Sequence, residues 1–447
     1  MKGFEQLPIV AHFFRARWRW QHLRGQALQQ YQERRAQQIV AYALQHSPFY
    51  RQHWTGHDPL AWQTLPTVDK QLMMEHFTTF NTRGIQRETA MQIALQAELS
   101  RDFRPQLHGL TVGLSSGTSG HRGLFLASRE EQAAWAGTIL ARTLHAPLLR
   151  PLRVAFFLRS NSNLYEQVGS RLIRFRYFDL MLPLEEAVAA LNDFQPQIIV
   201  GPPSLLGLLA SAHTRGNLHI RPERLISVAE VLEEQDTQQL ETVFQIPVHQ
   251  IYQCTEGLLA VSCAQGSLHI QEDAVMLQLE ALPESNGERV MPIVTDLWRR
   301  TQPIIRYRLN DVLQLETHPC GCGSPFRVLR AIEGRCDDVC YFVSRTGEPR
   351  LFFPDTIRRM ILLASQDITD YQVLQQSQGQ LSIHLSINPG ASFASVATLV
   401  QQSVNATLAR YGCRPASVSI DQGIVPPAPG IKRRRVQRVE KAALPGI

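Results

Sequence analysis

Between residues 154 and 252, short apolar runs alternate with helical patterns, and this alternation constrains the fold more than any other feature of the chain. Apolar runs fall at 154–158, at 198–200 just before Gly201-Pro202-Pro203, at 225–228 and at 248–252. Between them, 184–194, 204–213 and 233–244 carry apolar residues at helical spacing. Strand–helix–strand order of this kind specifies an α/β sheet with crossover helices. Upstream, 20–50 reads as one amphipathic helix that ends at the turn Ser47-Pro48-Phe49-Tyr50. Downstream, 268–315 is strand-rich, with alternation at 268–270 and 275–279 and a turn at Ser285-Asn286-Gly287. After Gly334 comes a small α+β unit: a strand near 339–343, a helix from Asp355, a strand at 381–387, a helix at 394–411 and a strand at 416–420. The expected organisation is a large domain over 1–334 and a small one over 335–447. The large domain divides into a helical part (1–110), an α/β part (111–262) and a β-subdomain (263–334).

Composition narrows the class. The chain has 447 residues, 44% hydrophobic and 19% charged, which is globular and long enough for more than one domain. No apolar run reaches the roughly 20 residues that span a bilayer. The first 26 residues lack an apolar stretch ending at a small-residue cleavage site, so a cytoplasmic location is expected. The net charge of +6 raises nucleic-acid binding as a class. The charges are scattered and no nucleic-acid module signature is present, so none is expected. Seven cysteines in such a chain argue for metal or packing and against a disulfide framework.

Five segments carry candidate chemistry. In Ser115-Ser116-Gly117-Thr118-Ser119-Gly120, glycines admit close backbone approach and hydroxyls donate to phosphate oxygens. It lacks the P-loop pattern, and a plain flexible loop is the competing reading. Tyr252-Gln253-Cys254-Thr255-Glu256-Gly257 puts a carboxylate and a hydroxyl just after a strand, where a nucleotide's Mg²⁺ can be held; a solvated junction competes. Thr295-Asp296-Leu297, followed by Pro303 to Asp311, offers an Asp at a strand end for ribose hydroxyls, or simply a turn cap. Glu333-Gly334-Arg335-Cys336-Asp337-Asp338 falls at the expected domain boundary. Pro429-Gly430-Ile431-Lys432-Arg433-Arg434-Arg435-Val436 is the densest basic run, with a solvated tail as its bland reading.

In order and spacing these segments resemble the core motifs of the adenylate-forming superfamily. The resemblance is strongest to the phenylacetate–CoA ligase family with its deazaflavin-adenylating relatives, and runs from about His46 to Val436. It implies a small mobile C-terminal lid domain and a set of roles. Ser115, Ser116, Gly117, Thr118, Ser119 and Gly120 would form the phosphate loop. Ala229 and Glu230 would line the adenine pocket, and Tyr252 would stack on adenine. Thr255 would meet the α-phosphate, Glu256 would hold Mg²⁺, and Asp311 would bind the ribose. Arg335 would lie near ribose and phosphate, Asp337 would be the hinge, and Lys432 would reach the carboxylate and α-phosphate. Many superfamily members end the phosphate loop with Pro-Lys. Here Arg122-Gly123 stands instead, which raises the question of whether Arg122 serves the pyrophosphate.

Cys263 and His269, with Cys320-Gly321-Cys322 some fifty residues later, make a Cys₃His set of the structural-zinc type. Relatives of the phenylacetate–CoA ligase type look similar here. Buried free cysteines are the competing reading. Cys254, Cys336, Cys340 and Cys413 remain as packing residues, with Cys254 a substitute ligand.

The function expected is ATP-dependent activation of a carboxylic acid as acyl-AMP. Transfer then goes to the thiol of coenzyme A or of a carrier protein's phosphopantetheine arm. The family's preference points to an aryl acid, with Trp135, Phe156, Phe157 and Tyr165 as pocket or core residues. Two alternatives stand beside it: an adenylyltransferase that releases an AMP-linked product, and a non-catalytic nucleotide- or nucleic-acid-binding descendant. The N-terminal helices pack either on their own domain or on a second copy as a homodimer.

Overall fold

The computed structural model describes residues 7–102, 106–115, 123–144, 151–158, 172–180, 182–282, 287–425 and 433–439. The chain divides into two compact units. The first comprises 1–278, 293–309 and 315–330; the second comprises 279–292, 310–314 and 331–447.

Five parallel strands form the heart of the first unit, in the order Ile173–Asp179, Leu152–Leu158, Ile198–Gly201, Arg224–Val228 and Val248–Cys254. The inner strands Leu152–Leu158, Ile198–Gly201 and Arg224–Val228 are rich in buried apolar residues because both faces are covered, whereas the edge strand Ile173–Asp179 alternates with arginine. Ala155, Phe157, Ile199 and Leu225 pack against Leu191, Leu206 and Leu240 of the crossover helices. Val154, Phe156, Ile198, Val200 and Ile226 build a second core with Leu144 on the other face. The crossover helices are Leu184–Phe194, Pro203–Thr214 and Glu234–Phe244. Antiparallel strands Gly257–Ser262 and Leu268–Ile270 extend the sheet. A separate three-stranded sheet joins Gln106–Leu107, Leu110–Leu114 and Leu124–Ala127.

The helix expected over 20–50 is Gly25–His46, ending at Ser47 as expected; residues 20–22 close an earlier helix, Leu7–His22, and the turn opens a short third one, Pro48–His53. The first break precedes Gly25, whose φ of +47° suits a residue without a side chain. The second falls at Ser47, whose hydroxyl caps the third helix by accepting from Tyr50 N–H. The first helix packs on helix Arg129–Thr143. A Cβ on Gly137 would lie 2.6 Å from the Ile9 carbonyl oxygen, so only glycine permits this approach. Arg142 holds the crossing by donating to the Ala16 carbonyl at 2.8 Å and pairing with the buried Asp273, which also pairs with Arg19.

The second unit has a four-stranded sheet in the order Ser417–Gln422, Gln380–Ile387, Ile368–Ser377 and Val436–Arg438. Helices Pro354–Leu362 and Phe393–Arg410 contribute Ile357, Ile361, Val400 and Val404 to its core, which also buries Tyr371, Val373, Ile383 and Leu385. A hairpin pairs Cys340–Val343 with Pro349–Phe352.

Candidate active site and metal centre

Two of the nominated segments in the first unit leave the carboxyl ends of adjacent parallel strands, where ligands of open α/β sheets bind. Ala229 follows Arg224–Val228 with φ of +71°, a left-handed conformation that costs a non-glycine residue roughly 1–2 kcal/mol. The Glu230 carboxylate accepts from Ser204 N–H at 3.3 Å and so sits at the start of helix Pro203–Thr214.

Next to it, Val248–Cys254 pairs back onto Gly257–Ser262, leaving Thr255-Glu256 as a two-residue turn. The Thr255 hydroxyl donates to Glu256 Oε2 at 2.9 Å. Arg299 braces the turn by donating to the Thr255 carbonyl, and also donates to Leu126 O and Gln302 Oε1, both at 3.3 Å. Glu256 is buried. Burial first, then the Glu256 carboxylate, holds the Tyr307 hydroxyl's pKa well above its ordinary range. That hydroxyl is buried and faces the Glu256 carboxylate. A buried carboxylate at the end of a central strand suits a cation such as the Mg²⁺ of a nucleotide.

The phosphate-loop segment is closed at its neck. Ser115 N–H donates to the Gly123 carbonyl and Gly123 N–H donates to Ser115 Oγ, each at 2.7 Å. Ser116, Gly117, Thr118, Ser119, Gly120 and Arg122 lie outside the described residues, as do Tyr165 and Lys432. Lys70 was not singled out from the sequence. Its Cε lies 3.1 Å from where a Gly123 Cβ would stand, so its side chain runs alongside the loop neck. The available signal was scarcity: Lys2, Lys70, Lys432 and Lys441 are the only lysines. Arg299 and Tyr307 were also missed as site residues, because their roles depend on contacts far away in sequence.

Among the nominated pocket aromatics, Phe157 is core, packed under the crossover helices and stacked on Phe178 at 4.7 Å. Phe156 lines the opposite core against Phe175. Trp135 is half-buried and donates its indole N–H to Gln253 Oε1 at 2.9 Å, beside Tyr252. Asp296 caps its own turn by accepting from Trp298 and Arg299 N–H at 2.8 and 3.0 Å. Burial is the main reason its pKa rises to about 6.

In the second unit Asp311 and Arg335 come together, with 3.6 Å between Oδ1 and Nε. Arg335 N–H donates to Asp338 Oδ2 at 3.0 Å, and Asp337 lies in the short 3-10 turn Cys336–Asp338. The basic run is not a loose tail where it is described. Arg434 pairs with Asp338, Arg433 and Arg435 pair with Asp370, and Val436–Arg438 forms a strand parallel to Ile368–Ser377.

Cys263, His269, Cys320 and Cys322 converge, with all ligating atoms within 4.8 Å of one another. Cys263 Sγ lies 3.8 Å from Cys320 Sγ, and Cys322 Sγ lies 3.4 Å from His269 Nε2. The edge of a tetrahedron with Zn–S bonds of about 2.3 Å is about 3.8 Å, whereas a disulfide needs about 2.05 Å. The His269 Nδ1–Phe326 O contact of 2.8 Å sets the tautomer that leaves Nε2 free to ligate. N–H groups of Cys322 and Ser324 point at the sulfurs of Cys320 and Cys322, at 3.5 and 3.4 Å. Gly323, with φ of +78°, turns the chain between them. Burial opposes ionisation of Cys320, but hydrogen bonds from Ser267, Cys322 N–H and His269 bring it down to about 6; burial pushes Cys322 up to about 12. Thiolates this close repel one another's ionisation, and a dication removes that conflict. The donor set therefore suits zinc. Cys254 is apart from the cluster, its sulfur facing the Gly257 carbonyl at 3.8 Å, and Cys336, Cys340 and Cys413 are buried.

No family model matches the chain. Its sequence is 24% identical over 378 residues to a phenylacetate–coenzyme A ligase of Thermus thermophilus, covering 78% of each. Among solved structures, 2-hydroxyisobutyryl-CoA ligase in its postadenylation state aligns at a TM-score of 0.67 and 19% identity, covering 91% of this chain and 88% of that one. The acyl acid amido synthetase GH3.15 aligns at a TM-score of 0.57 and 13% identity, covering 88% and 86%. The fold is that of the adenylate-forming ligases, and the sequence is similar to that of a phenylacetate–CoA ligase.

Proposed function

We propose that the chain activates a carboxylic acid with ATP and passes the acyl group to the thiol of coenzyme A. The observation that carries the site assignment is the Thr255-Glu256 turn. It is a braced, buried carboxylate and hydroxyl at the carboxyl end of a central strand, facing the buried Tyr307 hydroxyl.

In the first half-reaction a substrate carboxylate oxygen bonds to the α-phosphorus of ATP, and pyrophosphate leaves with the electron pair of the broken P–O bond. In the second, a thiolate sulfur bonds to the acyl carbon and AMP leaves. Mg²⁺, when held by Glu256, spreads the triphosphate charge that otherwise repels the carboxylate. Thr255 fixes the Glu256 carboxylate, and its single O–H donates to an α-phosphate oxygen once Glu256 turns to Mg²⁺. Tyr252 gives the adenine a stacking surface, beside Ala229-Glu230. The loop 116–122 wraps the phosphates, and Lys70 adds a cation at its neck, the role that Pro-Lys fills at the loop end in many relatives. Asp311 takes the ribose hydroxyls and Arg335, already beside it, the nearby phosphate. Lys432 supplies the point charge for adenylation from a lid formed by 335–447, which turns about Asp337. The arginines that follow Lys432 are already paired with carboxylates, which supports giving the lysine this separate task.

Cys263, His269, Cys320 and Cys322 hold a structural Zn²⁺ with no open position. The acid is aryl, supported by the half-buried Trp135 fixed beside the strand that carries Tyr252. The protein works in the cytoplasm, and a carrier-protein thiol is the second acceptor to test. No helix among the described residues is long and apolar enough to cross a membrane.

The acceptor is tested by product analysis after supplying acid and ATP with coenzyme A, with phosphopantetheinylated carrier, with an amine, or with none. Thioester formed only with coenzyme A supports the proposal. An AMP-linked product released at full rate without any acceptor would replace it with the adenylyltransferase reading.

A further inference from the structure

The first helix, Leu7–His22, is firmly docked on its inner side yet leaves a large apolar face outside. Inward, Ile9, Ala16 and Arg19 are buried, Gly137 admits the helix backbone, and Arg19 and Arg142 clamp it through Asp273 and the Ala16 carbonyl. Outward, Leu7, Val10, Phe14 and Trp18 are 59%, 48%, 63% and 56% exposed. Their spacing of three, four and four residues stacks them in one stripe. At about 100° per residue, Arg15 falls on one flank of that stripe and Arg17 on the other. Arg15 is exposed, and Arg17 is half-buried with its guanidinium 5.9 Å from the Phe13 ring centroid. The helix contains no acidic residue. The acids that act on it, Asp273 at Arg19 and Glu130 at His12, do so on the inner side.

We infer that this face docks on an anionic lipid surface, with Leu7, Val10, Phe14 and Trp18 entering the headgroup region and Arg15 and Arg17 meeting lipid phosphates. An apolar stripe with aromatic residues, flanked on both sides by arginine, is the pattern of a helix lying in the plane of a membrane interface. Phe and Trp on the exposed stripe add the large apolar payload, and Trp18 brings an indole suited to the headgroup boundary. Charge also decides against a second copy as occupant. A two-fold pairing of this face would set Arg15 and Arg17 against their own counterparts with no carboxylate on the helix to meet them. The rigid docking of the inner side matters as well, because the outer face is presented already folded and binding carries no ordering cost.

The experiment is co-sedimentation of the full chain with sucrose-loaded vesicles of phosphatidylcholine alone or mixed with phosphatidylglycerol. Three proteins are compared: wild type, Phe14→Ser/Trp18→Ser and Arg15→Gln/Arg17→Gln. Wild type is expected to sediment with the anionic vesicles and at least tenfold less with the neutral ones, an order-of-magnitude figure for about two cations near the surface. The apolar variant is expected to lose binding to both. The arginine variant is expected to lose the preference for anionic lipid. All substituted side chains except Arg17 lie on the exposed face, and matching thermal melts of the three proteins verify that folding is intact. No sedimentation of wild type, or equal sedimentation with both vesicle types, overturns the inference. So does a wild-type dimer in sedimentation velocity that the Phe14→Ser/Trp18→Ser variant dissociates, which would give the face to a second copy.

Discussion

His269 turns Nδ1 to the Phe326 carbonyl at 2.8 Å, and this leaves its Nε2 3.4 Å from Cys322 Sγ. The four-donor cluster around it is expected to hold one zinc per chain. Elemental analysis of the purified protein checks the stoichiometry. Stripping the metal with a strong chelator, or replacing Cys322 with Ser, is expected to lower the melting temperature. The loss corresponds to about 4 kcal/mol where free zinc stood a thousandfold above its Kd. The proposed structural role predicts unchanged acid specificity among refolded survivors.

Asp273 accepts from Arg19 Nε and Arg142 Nη2, each at 2.8 Å, and all three side chains are buried. Asp273→Ala would leave two buried guanidinium groups unpaired, with an expected loss of about 3–5 kcal/mol in denaturant unfolding. Burial raises the carboxyl's pKa, but the two arginines prevail and hold it below the ordinary range. Its contribution is therefore present above the unfolded-state value and is lost as pH falls through the lower native value.

Asp296 has the opposite sign. Its native pKa near 6 stands above the unfolded value of about 3.9, so the folded form binds the proton more tightly. Stability from this group falls as pH rises from about 4 to about 6 and stays reduced above that. Asp296→Asn keeps an acceptor for the Trp298 and Arg299 N–H groups and removes the charge. It is expected to gain roughly 1–3 kcal/mol over wild type at neutral pH and nothing below the unfolded pKa. Paired urea titrations at the two pH values read the difference directly.

Lys70 lies along the neck of the loop closed by Ser115 and Gly123. Lys70→Ala is expected to raise the KM for ATP about tenfold, as one exposed-to-phosphate cation is worth about 1.4 kcal/mol when moderately screened. The KM for the acid should hold. Steady-state kinetics with each substrate varied in turn separates the two.

The strands at 154–158 and 198–200 were legible because burial on both faces forces uninterrupted apolar runs, and those at 225–228 and 248–252 from shorter apolar stretches that a few polar residues interrupt. Helix 184–194 was legible to the residue, since Ala187, Val188 and Leu191 mark one buried stripe. The end of the second helix at Ser47 was legible from Ser47-Pro48, but its start was set too early because the apolar spacing carries across Leu23 and Arg24, and only the backbone at Gly25 breaks it. Strand Ile368–Ser377 went unseen: its buried positions, Ile368, Tyr371, Val373 and the polar Gln375, pass through a register shift between Ile368 and Asp370 that spoils the alternation. The convergence of Cys263, His269, Cys320 and Cys322 was legible from donor type and spacing taken with the family resemblance. Lys70 and Arg299 were not, because neither has a local pattern, and each acquires its meaning from a loop or turn more than forty residues away.

The central claim is acyl-AMP chemistry, and acid-dependent ATP–pyrophosphate exchange tests it most directly. Wild type and Lys432→Ala are compared over a panel of aryl and alkyl acids. Exchange with one acid class, reduced roughly 10²–10³-fold in the variant, is the expected result, the magnitude being that of deleting one positioned transition-state donor. Absence of exchange with every acid, in zinc-loaded protein shown to bind ATP, would contradict it.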